Sequence, residues 1–216
     1  MYADDIVLLA PSIDALQNLL TLCAQHLAHL DMALNAKKCT CIRFGRYFKD
    51  ECRSIITASG ESLCWVNSCR YLGVTLVAAK YFKISLINNK KSFYRSFNSI
   101  YSKVGRHASE DVVVKLIVSK CLPVFTYGLD ACPLLKSDIR SMDFMFVRML
   151  MRVFNTNSID IINQCLSVFH LRKPSVLVSN FKLRFLQRFV NSDNLFCFVF
   201  SHVAHCDIFS VSSETA

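Results

Sequence analysis

No acidic residue occurs between Ser62 and Ser109. A stretch without Asp or Glu cannot neutralise its own cations, and this one holds Arg70, Lys80, Lys83, Lys90, Lys91, Arg95, Lys103 and Arg106. That absence disfavours an internally paired, solvated face and leads us to expect a polyanionic partner such as a phosphate backbone. The chain also lacks any Cys-x-x-Cys pair, although it contains 11 cysteines. An odd number without that spacing, and without a secretory leader, argues against a disulfide framework. Cys23, Cys121, Cys132 and Cys165 lie among apolar residues and read as small core hydrophobes in a reducing, intracellular setting, nucleus or cytoplasm. Cys197, His202, His205 and Cys206 match no common zinc-ligand spacing. Long apolar runs are missing too. Val112–Leu129 is interrupted by Lys115, Lys120 and Pro123. Leu195–Val203 is too short for a hydrocarbon core of about 30 Å, so no membrane span is expected. No internal repeat is present.

What the chain does contain suits a folded protein that faces a polyanion. Hydrophobic residues make up 53% of its 216 residues, ample for a core, and the formal charge is +9. Ile6–Leu9 is a short apolar run suited to a buried strand. Ser12 is a good helix N-cap. After it Ile13, Leu16, Leu20, Cys23, Leu27, Leu30 and Leu34 recur at helical steps, which predicts one amphipathic helix of about six turns. His26 and His29 fall on its flank. Cys39–Phe44 alternates like a strand, and Ser54–Thr57 with Leu63–Val66 suggests a hairpin. Tyr71–Val77 reads as a further strand, and Trp65, the single tryptophan, as a packing residue.

From about Tyr81 the pattern turns helical. Leu86, Ile87, Phe93, Tyr94, Phe97, Ile100, Tyr101 and Val104 form one stripe, and Gly105 is placed to end it. Lys91, Arg95, Lys103 and Arg106 fall on the opposite side, whereas Lys90 lies within the stripe and must snorkel or find a partner. Ser109 opens a helix that Pro123 breaks or kinks. Ser137 opens another, with Ile139, Met142, Phe146, Met149, Leu150 and Val153 inward and Arg140, Arg148 and Arg152 outward. Ile159–Phe169 and Val176–Val190 are two more predicted helices. The tail after Val203 carries too little pattern to place.

Two adjacent carboxylates near the start concentrate the chemistry. Asp4 and Asp5 sit between Tyr2, Ala3 and the apolar run Ile6–Leu9. Carboxylates among apolar residues are costly to bury unless a cation neutralises them, and hard divalent ions take oxygen ligands. The string from Tyr2 to Ser12 resembles the catalytic-aspartate box of reverse transcriptases, in the form found in non-LTR (LINE-type) retrotransposons. The resemblance continues in order. Leu34–Cys39 is similar to the family's next box, with Ala36 where many relatives carry Pro, and Arg70–Val74 resembles the Tyr-Leu-Gly box of the primer grip.

The resemblance covers residues 1 to about 190 and implies an α+β fold. Residues 1–78 would be the C-terminal part of a polymerase palm, with short antiparallel strands and one long helix. Residues 79–190 would be an all-helical thumb and the start of a connector, and 191–216 a poorly patterned tail. It implies RNA-templated DNA synthesis in the intact protein, with RNA template, DNA primer and deoxynucleotide triphosphates as partners and Mg²⁺ as cofactor. Asp4 would be the direct metal ligand and Asp5 a supporting carboxylate. Tyr2, Ala3, Leu72 and Gly73 would lie at the primer, and Lys38, ahead of Lys37, would aid departure of pyrophosphate. Lys91, Arg95 and Arg106 are the expected nucleic-acid contacts. Such polymerases clamp two metals with a further aspartate box upstream of this one. The chain begins at Met1 without that box, so the expectation is a truncated product, inactive alone. The alternative is a non-catalytic, basic helical module that binds nucleic acid.

Overall fold

The computed structural model describes residues 5–105 and 107–215, the side chains of 212–215 excepted. The chain divides into two compact units, residues 1–71 with 75–83, and residues 72–74 with 84–216. The architecture is α+β, a mixed β region followed by a run of helices.

In the first unit, helix α1 (Ile13–Ala28) starts where Ser12 accepts a hydrogen bond from the Ala15 amide at 3.2 Å. It stops short of the predicted end at Leu34. The backbone turns at Asp31, which has φ 54°, and Leu30 and Met32 are left exposed. Leu34 still reaches the core, from the loop instead of the helix, because the reversal carries it back toward the sheet. That core joins Leu20, Cys41, Ile55 and Leu63, with Leu8, Ile13, Leu16 and Trp65 packed against it. Trp65 also donates its indole N–H to the Arg53 carbonyl at 3.1 Å.

Three short strands form the first sheet in the order β1 (Thr40–Cys41), β3 (Ser62–Trp65), β2 (Ile55–Ile56). The predicted hairpin is present, with Ile55 opposite Leu63 and Ile56 opposite Ser62. Thr57 closes its loop, accepting from the Glu61 amide through its hydroxyl at 3.1 Å. The expectation of antiparallel strands fails for β1, which runs parallel to β3. A parallel neighbour needs a long return, and residues 42–61 supply it. The Gln17 side chain then covers the outer edge of β2, donating to the Ile56 carbonyl and accepting from the Ile56 amide, both at 2.8 Å. An amide side chain thus stands where another strand would pair.

The expected strand Ile6–Leu9 does not form. Asp5 makes a single bridge, and Ile6, Val7 and Leu9 are exposed while only Leu8 finds the core. A second sheet has the order β4 (Ser68–Tyr71), β5 (Val74–Val77), β6 (Lys83–Ser85). Tyr71–Val77 is therefore not one strand. Leu72 and Gly73 break it into a hairpin, and a two-residue connection joins only antiparallel neighbours. The helical pattern also begins later than Tyr81, since Ile84 and Leu86 are buried around a less buried Ser85 at strand spacing.

The second unit is helical. Helix α2 (Ile87–Val104) buries Phe93 and Phe97, and the Phe93 ring stacks on Phe125 at 4.2 Å between centroids. Of the two outcomes open to Lys90, it meets a partner, donating to the Ser141 hydroxyl at 2.8 Å. Gly105 ends the helix in right-handed backbone, φ −63°, without the left-handed turn usual for a terminal glycine. Helix α3 (Glu110–Leu116) passes through a π-helical turn at Ile117–Cys121 into α4 (Leu122–Thr126). The Leu122 amide reaches back five residues to the Ile117 carbonyl. Pro123 has no amide to give, and its ring crowds the carbonyl four residues back in an ordinary helix; the widened turn relieves that crowding. Burial pushes the Cys121 thiol up to about 11.

Helix α5 (Lys136–Val153) buries Met142, Met145, Phe146, Met149, Leu150 and Val153, close to the predicted inward set, with Ile139 half-buried. Helices α6 (Ile159–Val168) and α7 (Pro174–Val190) follow, and Asp143 of α5 accepts from the Ser175 amide at 2.9 Å in the first turn of α7. The tail folds as α8 (Leu195–Val199) and α9 (Ser201–Thr215), and α9 packs on α7 through the buried Ala204 and Val211. No described helix is long and apolar enough to cross a membrane.

Candidate nucleic-acid interface

Tyr2, Ala3 and Asp4 lie outside the described residues, as does Arg106. Asp5 is exposed. Among the described residues no group of three or more His, Cys, Asp or Glu side chains is arranged to hold a metal ion. Asp5 is one carboxylate, and by itself it does not fit a pair of magnesium ions.

Lys37 and Lys38 stand on a tight turn built by Asn35. The Asn35 side chain accepts from the Lys37 amide at 3.2 Å, and its carbonyl accepts from the Lys38 and Cys39 amides at 3.0 and 3.1 Å. Both lysine side chains are exposed. The turn is a short-range property of Asn, whose side chain mimics a backbone carbonyl.

Leu72 and Gly73 form the tip of the β4–β5 hairpin, with φ of 45° and 83°. Two consecutive positive φ values are those of a type I′ turn, whose twist matches that of the flanking strands. Asn or Gly normally fills the first place, and a leucine there is strained. Behind the tip stands the ring of Tyr127. A β-carbon at position 73 would lie 2.7 Å from Tyr127 Cε1, and one at Gly128 would lie 2.6 Å from Val74 Cγ2. The Asn89 side-chain amide donates to the carbonyls of Phe125 and Tyr127, both at 3.3 Å, and anchors this backbone to α2.

The outward face of α2 carries Lys91 and Arg95 one turn apart, both exposed, with Asn98 and Ser102 continuing the row. Among the described residues neither cation belongs to an ion pair; the pairs are Arg53–Asp14 and Lys115–Asp111. Arg152 of α5 joins this face. Its guanidinium donates to Asn98 Oδ1 at 3.1 Å and lies 4.9 Å from the Tyr101 ring centroid, while Tyr101 Oη donates back to the Arg152 carbonyl at 3.2 Å. Sequence periodicity puts Arg152 outside α5 but does not say which helix it meets. Arg, Lys, Asn and Ser are among the side-chain types that contact phosphate and sugar in nucleic-acid interfaces. The structure thus sets Arg152 beside Asn98 and Tyr101, further along the helix that carries Lys91 and Arg95, and groups Leu72 and Gly73 with Tyr127 and Asn89. Tyr127 and Asn89 carry no advance signal beyond their composition.

Residues 1–76 match the family model described as Reverse transcriptase (RNA-dependent DNA polymerase). The match points to the reverse-transcriptase superfamily in general. No curated protein and no solved structure matches the chain.

Proposed function

We propose that this chain is part of a retrotransposon reverse transcriptase of the non-LTR type, and that its residues serve RNA-templated DNA synthesis in the intact polypeptide. The observation that carries this reading is the match of residues 1–76 to the reverse-transcriptase family, a span that contains the aspartate, Lys38 and Tyr-Leu-Gly boxes in order. On this reading, residues 1–78 act as the end of a palm and the helices after them as a thumb. Asp4 and Asp5, with a carboxylate from elsewhere in the intact enzyme, would hold magnesium, which supplies charge stabilisation at the attacking and leaving oxygens. Lys38 would stand at the leaving pyrophosphate. The strained tip at Leu72 and Gly73, backed by the Tyr127 ring, would be the edge against which a primer end rests.

Primer extension on a poly-A template tests it. The polypeptide encoded with the preceding reading frame should extend an oligo-dT primer and lose extension in Asp4→Ala. The 216-residue chain alone should give none. Extension that survives Asp4→Ala in the longer polypeptide would sink the reading. The exposed Lys91–Arg95 row, free of ion pairs among the described residues, favours a second reading in which the chain acts only as a nucleic-acid-binding module. The two diverge on whether the longer polypeptide polymerises.

A further inference from the structure

A cleft of about 930 Å³ opens in the second unit between the π turn with α4 on one side and α7 on the other. One face of α7 lines it, with Leu177, Phe181, Arg184, Arg188 and Asn191 recurring at steps of four, three, four and three. The facing wall is apolar at Val118, Leu122 and Pro123, and ends at Tyr127, Gly128 and Asp130. The cleft therefore has an apolar stretch, an exposed aromatic ring and two guanidiniums four residues apart. Arg184 and Arg188 are exposed and belong to no ion pair among the described residues. Asp130 is the one carboxylate among the lining residues. The surrounding sequence is short of acids as well. No Asp or Glu occurs from Ile161 to Ser192, a span holding Arg172, Lys173, Lys182, Arg184 and Arg188.

We propose that this cleft binds a stretch of single-stranded nucleic acid, with bases against Tyr127 and Phe181 and phosphates on Arg184 and Arg188. Three observations favour that occupant. The charge is complementary to a polyanion, and the two cations sit one helical turn apart on a single face. An apolar and aromatic floor beneath cations fits unstacked bases, whereas a duplex keeps its bases stacked inside and offers only its backbone. The site is also continuous with the hairpin tip, because the Tyr127 ring that borders the cleft is the ring packed against Gly73. A strand lying along Leu72 and Gly73 meets the cleft mouth next. The inference rests on the reading of this chain as a nucleic-acid protein, and it adds a site for unpaired nucleotides apart from the Lys91–Arg95 row.

The test uses the full 216-residue chain with fluorescein-labelled oligo-rU and a blunt duplex of equal length, titrated by anisotropy at several salt concentrations. Arg184→Gln with Arg188→Gln should weaken oligo-rU binding about fivefold or more and reduce the salt slope by about 1.4, since each single-strand phosphate contact contributes about 0.7. Duplex affinity should change less than about twofold. Tyr127→Leu, which keeps a bulky apolar group against Gly73, should weaken oligo-rU alone, as removal of a base-stacking ring does. Circular dichroism of each variant establishes that it is folded. Unchanged oligo-rU affinity and slope in the double variant would overturn the cleft site, as would an equal loss for oligo-rU and duplex. Duplex binding that persists in that case, and falls in Lys91→Gln with Arg95→Gln, would leave the wider reading standing. Absence of binding to either probe would remove both.

Discussion

A β-carbon at residue 73 would stand 2.7 Å from Cε1 of Tyr127, inside any normal contact distance. Gly73 is thus favoured by its φ of 83°, and a β-carbon there would also force the exposed Tyr127 ring to shift. Gly73→Ala should destabilise the fold by about 1–3 kcal/mol. Its neighbour should respond the other way. Leu72 holds φ 45° and is only 38% exposed, so Leu72→Asn relieves backbone strain of about 1–2 kcal/mol but gives up part of the leucine's burial, and should stabilise by no more than about 0.5 kcal/mol. Urea denaturation of both variants checks the pair. A stable Gly73→Ala protein would mean that the tip relaxes away from Tyr127.

The stacked pair Phe93 and Phe125 is fully buried at the centre of the helical unit. Phe93→Ala should cost about 3–5 kcal/mol through forfeited transfer energy and the cavity left behind. Ser141→Ala, which removes the partner of the Lys90 ammonium, should cost less, about 1.5–3 kcal/mol. Chemical denaturation should rank the two in that order; the reverse order would show that the Lys90 hydrogen bond organises α2 and α5 more than the aromatic stack does.

Cys121 gives the chain an alkaline limit. In the unfolded chain its thiol ionises near 9, whereas in the folded chain burial holds it protonated until about 11. The folded state therefore binds the extra proton in that window, and stability present below pH 9 is lost as pH rises from 9 to 11. Cys41, Cys69 and Cys132 shift in the same direction, also through burial. Urea midpoints measured across that range should fall, and less steeply in Cys121→Ala. Identical slopes for the two proteins would place the alkaline loss elsewhere.

Lys91→Gln with Arg95→Gln should weaken binding to a primer–template duplex by a similar factor for unrelated sequences. The salt slope should fall by about one unit for each phosphate left without its cation. Adding Arg106→Gln should extend the same trend. Salt-dependent titrations on two sequences decide it; a weakening confined to one sequence would mean base readout instead of backbone recognition.

The sequence reveals most where burial decides. Phe93 and Phe97 of α2, the inward set of α5 and the choice left to Lys90 between snorkelling and a partner follow from 3.6-residue periodicity, whereas Ile87 and Tyr94 of the expected α2 stripe are exposed. Ser12 marks the start of α1 because an N-cap is a local bond. Periodicity misleads where apolar residues outrun the helix. Leu30 and Leu34 continue the α1 pattern, yet the backbone reverses at Asp31 and Leu34 enters the core from outside. The hairpin at Leu72 is hidden for another reason. Leucine carries no turn preference, so nothing at that position marks the positive φ in advance. For the candidate site, the exposed cations Lys91 and Arg95 are legible because an absence of acids shows in one dimension. Arg152, Tyr127 and Asn89 are not, since their roles depend on which helices meet.

The π turn at Ile117–Cys121 is chain-length bookkeeping as much as conformation. A bond from Leu122 to Ile117 takes up one residue more than an α-helical bond would, so the turn amounts to a one-residue insertion absorbed in place. Removing one residue there and replacing Pro123 with alanine together would let α3 run into α4 as a single uninterrupted helix, leaving the residues on either side in their present register. Either change alone would leave the wide turn without its proline, or the proline without its wide turn.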